Sequence, residues 1–219
     1  MKRLFLLLLL SLPFLAEGQN TAQGRFESSL PDSIKYVMPA FASGRVVYKN
    51  GEFSNGMFNI STLDQSLRFI EDGKELALSD IDQVDRVTIG GVLFFRKQNG
   101  FYGIVEQADG VCLCVEKSLV FEDSKTGAYG TKSSTSNIKE MQSLHSVQGV
   151  EFNLSPDMPF NIKERVLLYR DGKVYAPGKN QFKKLFPDKK QVVEEWFKAR
   201  GKAEAEDAEN LKELFNLLK

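Results

Sequence analysis

The sequence predicts a mostly β, α+β protein: an antiparallel, hairpin-rich sheet, built as a sandwich or an open barrel, with a C-terminal helical subdomain of about three short helices. Three observations carry this. Between Gly44 and Val120, short apolar runs are cut apart by Asn50-Gly51, Asn55-Gly56, Asp72-Gly73, Asn99-Gly100 and Asp109-Gly110, and such pairs accept the positive φ that tight hairpin turns demand. The runs Val92 to Phe95 and Val111 to Val115 show no polar alternation, the mark of strands covered on both faces. Beyond Pro177 the apolar spacing changes from two to about 3.6, the passage from strand to helix.

Residues 1–18 read as a secretory signal peptide: Lys2 and Arg3, the apolar run Leu4 to Leu12, then the small-x-small pattern Ala16-Glu17-Gly18. The run is too short to span a bilayer comfortably, which takes about 20 apolar residues. No Cys follows Gly18 to carry a lipid anchor. Export to the periplasm or cell surface is expected, with cleavage near Gly18 and no transmembrane segment in the mature chain. Residues 19–40 form a leader, polar and unpatterned to Ser29. A short helical or turn segment then starts at Leu30-Pro31-Asp32-Ser33 and stops at Pro39.

Residues 41–177 form the antiparallel β domain. Its strands are expected around Val46 to Tyr48, Met57 to Ile60, Leu67 to Ile70, Leu76 to Leu78, Val87 to Ile89, Val92 to Phe95, Phe101 to Val105 and Val111 to Val115. Gly90-Gly91 allows a bulge or bend. Ser79 to Asp85 is a surface turn with Ile81 and Val84 tucked inward; it lacks the glycine and the terminal glutamate of a calcium loop. A mobile loop is expected near 122–146, where small polar residues dominate without the spacing of a phosphate-binding loop. Val150, Phe152 and Leu154 alternate as a strand, and a last hairpin turns at Asp171-Gly172. In the helical tail, 178–219, Asn180, Asp188 and Asp207 are the candidate caps, and Phe182/Leu185/Phe186, Val192/Val193/Trp196/Phe197 and Leu211/Leu214/Phe215/Leu218 are the apolar stripes.

Charge and residue usage exclude several functions. Lys+Arg 29 balance Asp+Glu 29, so no concentrated basic surface invites nucleic acid. Cys112 and Cys114 are the two cysteines. They share one face of a strand at a spacing that strains a direct bond, and are expected as buried thiols. His145 is the one histidine and falls in the polar loop, where it serves neither a Ser-His-acid constellation nor a tetrahedral metal site. No catalytic residue, cofactor or metal is expected, and an enzyme is not the expectation. The candidate partner contact is Tyr129 in the loop, with Lys125 and Lys132 beside it.

The stretch Gly51 to Leu78 continuing to Gly127-Ala128-Tyr129-Gly130, together with Phe182-Lys183-Lys184-Leu185-Phe186-Pro187-Asp188-Lys189-Lys190, resembles a group of exported, uncharacterised proteins of Gram-negative bacteria that join a β-rich region to a short helical C-terminus. The resemblance implies periplasmic or surface location and no established enzymatic activity. It supplies no site residue. The expected function is an exported binding or structural module that contacts an envelope protein or small ligand. One alternative is a carrier or chaperone for an apolar ligand such as lipid, held between sheet and helices, which needs an unfilled apolar cavity. The other is a carboxylate-dependent hydrolase, which needs two acids facing each other in a cleft.

Overall fold

A computed structural model describes residues 22–97, 99–121, 159–200 and 207–219. The expected signal peptide, the 122–146 loop with Lys125, Tyr129, Lys132 and His145, and the strand at Val150 to Leu154 lie outside the described residues.

Ten described strands form one antiparallel sheet that is not closed: β1 (Ala42–Tyr48), β2 (Phe53–Ile60), β3 (Leu67–Glu71), β4 (Lys74–Ala77), β5 (Val84–Ile89), β6 (Val92–Lys97), β7 (Gly100–Ala108), β8 (Val111–Phe121), β9 (Phe160–Arg170) and β10 (Lys173–Tyr175). The order is β10-β9-β8-β7-β6-β5-β1-β2-β3-β4. Two meanders are thus joined where β5 returns along β1 instead of β4, bridged by a single 3-10 turn at Ile81–Gln83 that tucks Val84 inward.

The hairpin chemistry follows the turn residues. Asp72-Gly73, Asp109-Gly110 and Asp171-Gly172 each hold two consecutive positive φ values, between 47° and 78°, the geometry that matches strand twist in a two-residue loop. Gly90-Gly91 does the same at 56° and 85°, so it is the turn between β5 and β6 and not a bulge. Asn55-Gly56 makes no turn: it lies inside β2, where Gly56 leaves room for the Phe58 ring, 3.1 Å from the place a Cβ would take. Gly100 is the first residue of β7, one position beyond the turn.

Alternation along β8 assigns the faces. Val111 and Leu113 belong to the core under the helical tail, and Leu119 and Phe121 to a core at the other end of the same face. Two short helices precede the sheet, α1 (Ala22–Ser29) and α2 (Asp32–Lys35), and the tail holds α3 (Lys179–Leu185), α4 (Lys190–Ala199) and α5 (Ala208–Leu218). Helices α3 to α5 bury Phe182, Phe186, Trp196, Leu214 and Phe215 against Leu113 and Leu168. Asp207 caps α5, accepting from the Glu209 and Asn210 amides at 3.0 and 3.1 Å. The other two expected caps do not form: Asn180 lies within α3, and Asp188 sits in the 3-10 turn before α4.

The stretch expected as an unpatterned leader contains α1. Phe26 is fully buried there, its ring 5.2 Å from Phe121 and 6.0 Å from Phe160, the last residue of β8 and the first of β9. A helix with so few apolar residues leaves little periodicity to detect, and one phenylalanine anchors it. No described helix is long and apolar enough to cross a membrane.

Candidate functional site

The opposite face of β8 carries Cys112, Cys114, Glu116 and Ser118, all buried. Around the two thiols stand Phe95, Tyr102, Ile104, Leu167 and Tyr169. Phe95 and Tyr169 lie on β6 and β9, three interstrand steps apart, which is about 14 Å on a flat sheet. Their ring centroids are 4.8 Å apart. The sheet therefore curls here into a trough, with Tyr102 and the cysteines as floor and the two aromatic rings meeting above them. A register shift between Ile104 and Glu106 in β7 supplies a bend, and Tyr102 stacks on Phe95 at 6.0 Å.

The trough opens into a cleft of about 210 Å³ lined by Lys97, Tyr102, Leu167, Val174, Tyr175 and Ala176. The strand order explains this lining: the curl that joins Phe95 to Tyr169 also brings the end of β6 toward β10. Lys97 is the one formally charged residue in the lining, and no ion pair holds it among the described residues.

Beside the cleft, Phe95, Tyr102, Glu116 and Arg165 follow one another across β6 to β9. Glu116 is 1% exposed. Its carboxylate occupies the space a Cβ at Gly100 would need, accepts a hydrogen bond from Tyr102, and lies 3.2 Å from Arg165 Nε without the alignment of a hydrogen bond. Burial pushes the Glu116 carboxyl above its usual range, against the opposing pull of Arg165, the Tyr102 hydrogen bond and Lys163. Burial, followed by the charge of Glu116, pushes the Tyr102 phenol up to about 12. Burial likewise raises both cysteine thiols, and Cys114 is further raised by Cys112. Such thiols are poor nucleophiles, because the thiolate is the reactive form.

Compared with protein-family models, curated proteins and solved structures, the chain matches none. The site must speak through its own residues.

A second polar cluster sits where α1 meets β3 and β4. Arg68 Nη2 donates to Glu27 Oε1 at 3.1 Å and to Asp64 Oδ2 at 3.3 Å, and Arg68 Nε donates to Ser66 Oγ at 2.6 Å. Tyr36 donates to Glu75 Oε2 at 2.6 Å, and Lys35 pairs with the same oxygen at 3.4 Å. Two acids that converge on one guanidinium nitrogen are held as its counter-ions, and the pair ties α1 to the sheet. An acid and base flanking a substrate need a gap between them instead. Among the described residues, no group of three or more His, Cys, Asp or Glu is placed to hold a metal.

The sequence-predicted contact residues Lys125, Tyr129 and Lys132 lie outside the described residues. The residues that do converge, Phe95 on β6, Tyr102 on β7, and Leu167 and Tyr169 on β9, come from three separate strands and carry no shared motif. Glu116 offered one usable signal: a carboxylate set into the apolar run from Val111 to Phe121.

Proposed function

We propose that the chain is an exported, periplasmic or surface-associated binding module that engages a small ligand non-covalently through the trough on the β6–β10 half of its sheet. The observation that supports this is the convergence of Phe95 and Tyr169 over Tyr102, which gives a concave, aromatic-lined surface beside Lys97, a cation with no ion pair among the described residues. Concave apolar sites with a few placed polar groups are the usual form of a ligand site. The space between the sheet and the helical tail, where an apolar carrier would hold its cargo, is occupied by Leu113, Leu168, Phe182 and Phe215, all fully buried. Among the described residues, the clustered or buried acids Glu27, Asp64, Glu75 and Glu116 are engaged by Arg68, Lys35, Tyr36 and Arg165.

The test is amide NMR mapping on the mature chain with small six-carbon probes of different charge. Binding at the trough shifts the amides of Tyr102, Leu167 and Val174 saturably, and Val174→Trp, which fills the cleft, removes those shifts while the melting temperature stays near that of the parent. Shifts confined to other parts of the sheet, or no shift with any probe, would remove the trough as the site.

A further inference from the structure

Resting on that binding role, we propose that the cleft selects a small organic acid: a carboxylate held at Lys97 and a short aliphatic body laid along Leu167, Val174 and Ala176.

Charge supports the anion. Lys97 alone among the lining residues carries a formal charge, and it takes part in no ion pair among the described residues. Of the two lining phenols, Tyr102 donates a hydrogen bond to Glu116, so Lys97, with Tyr175 as a neutral second donor, faces an acceptor-rich ligand group. Glu116 is not part of the lining and has Arg165 beside it, so it does not cancel Lys97 within the cleft. A lysine ammonium is a compact charge on a flexible stem. It therefore accepts a carboxylate without the planar fork that arginine would impose.

Size and polarity fix the body. A dry cavity of about 150 Å³ holds benzene, so a cleft of about 210 Å³ suits a molecule of roughly eight heavy atoms by the same proportion. That is below the ~300 Å³ at which drug-sized ligands begin. Lys97 is supplied from β6, whereas Leu167 comes from β9 and Val174, Tyr175 and Ala176 from β10 and the residue just beyond it. The charge thus comes from one strand of the lining and the aliphatic side chains from others, a combination that suits an amphipathic acid.

The probes are hexanoate, hexanol and hexylammonium, which share one aliphatic chain and differ in charge at the head. On the mature chain at low salt, hexanoate is expected to bind up to about fivefold more tightly than hexanol, the scale of an exposed ion pair, with hexylammonium weakest. Its advantage should shrink as salt is raised. Lys97→Met should erase the preference for hexanoate over hexanol while leaving hexanol binding unchanged. Equal binding of all three probes at the cleft, or a hexanoate preference that survives Lys97→Met, would overturn the acid selectivity and leave the cleft as a binding site. Absence of cleft shifts with every probe would overturn the site and the selectivity together.

Discussion

Phe95 and Tyr169 make ring contact at 4.8 Å although β7 and β8 run between their strands. The contact closes the trough above Tyr102, Cys112 and Cys114, so it is a measure of the curl itself. Each ring is partly buried. Phe95→Ala and Tyr169→Ala are each expected to destabilise the fold by about 1–3 kcal/mol, below the range for fully buried aromatics. The double variant should show a coupling of about 0.5–1.5 kcal/mol, the worth of an aromatic pair. Urea unfolding of the four proteins measures it, and strict additivity would mean that the two strands do not lean on each other.

Glu116 gives the trough a pH signature. Burial raises its carboxyl above the usual carboxylate range. A group raised in the folded state favours folding below its unfolded pKa and loses that contribution as pH climbs through its folded pKa. The stability of Glu116→Gln relative to the parent should therefore increase from pH 3.5 to pH 7, because the parent alone comes to hold a buried charge. Denaturant unfolding across that range is the measurement. A relative stability that falls with pH would mean that Arg165 and Tyr102 outweigh burial.

The hairpins of this fold are written locally and its trough is not. Asp72-Gly73, Asp109-Gly110 and Asp171-Gly172 specify their own left-handed φ values, so they mark turns in any context. Asn55-Gly56 carries the same letters, but Phe58 lies over Gly56 in mid-strand, and packing outweighs the turn preference. The stripes of α4 and α5 repeat often enough to be seen, whereas α1 depends on Phe26, a single residue whose partners lie 95 and 134 positions away at Phe121 and Phe160. The site is the extreme case. Phe95, Tyr102 and Tyr169 meet because the sheet bends, and a bend that arises from many strands leaves no spacing in any one of them.

The anchoring of α1 can be tested directly. Phe26→Ala removes a fully buried ring from between Phe121 and Phe160 and should cost about 3–5 kcal/mol if the helix stays docked. If α1 detaches instead, the loss is capped at the free energy of docking, and the amides of residues 25–30 exchange fast while those of β8 stay protected. Hydrogen exchange resolves the two outcomes. Slow exchange in α1 together with unchanged stability would show that Phe26 is not its anchor.

Cys112 and Cys114 are free, buried and raised by burial. Both thiols should react with a labelling reagent only through opening of the fold, at rates that rise with denaturant in step with unfolding. Cys112, at 7% exposure against 0% for Cys114, should be the faster of the two. Rapid labelling of the native protein at neutral pH would place the thiols at an open surface.

The helical tail offers an internal control on one helix. Phe215 of α5 is fully buried and lies 5.9 Å from both Phe182 and Phe186, in edge-on geometry. Leu217, two residues on, is 55% exposed. Phe215→Ala should cost about 3–5 kcal/mol, since it empties a site framed by rings that cannot collapse into it. Leu217→Ala should change stability by less than about 0.5 kcal/mol, because it removes little buried surface and alanine is the better helix former. Thermal and urea unfolding of both variants decides the point. A small loss for Phe215→Ala would mean that the tail is marginally attached to β7 and β8; a large one, with the melting transition still single, shows that helices and sheet unfold as one unit.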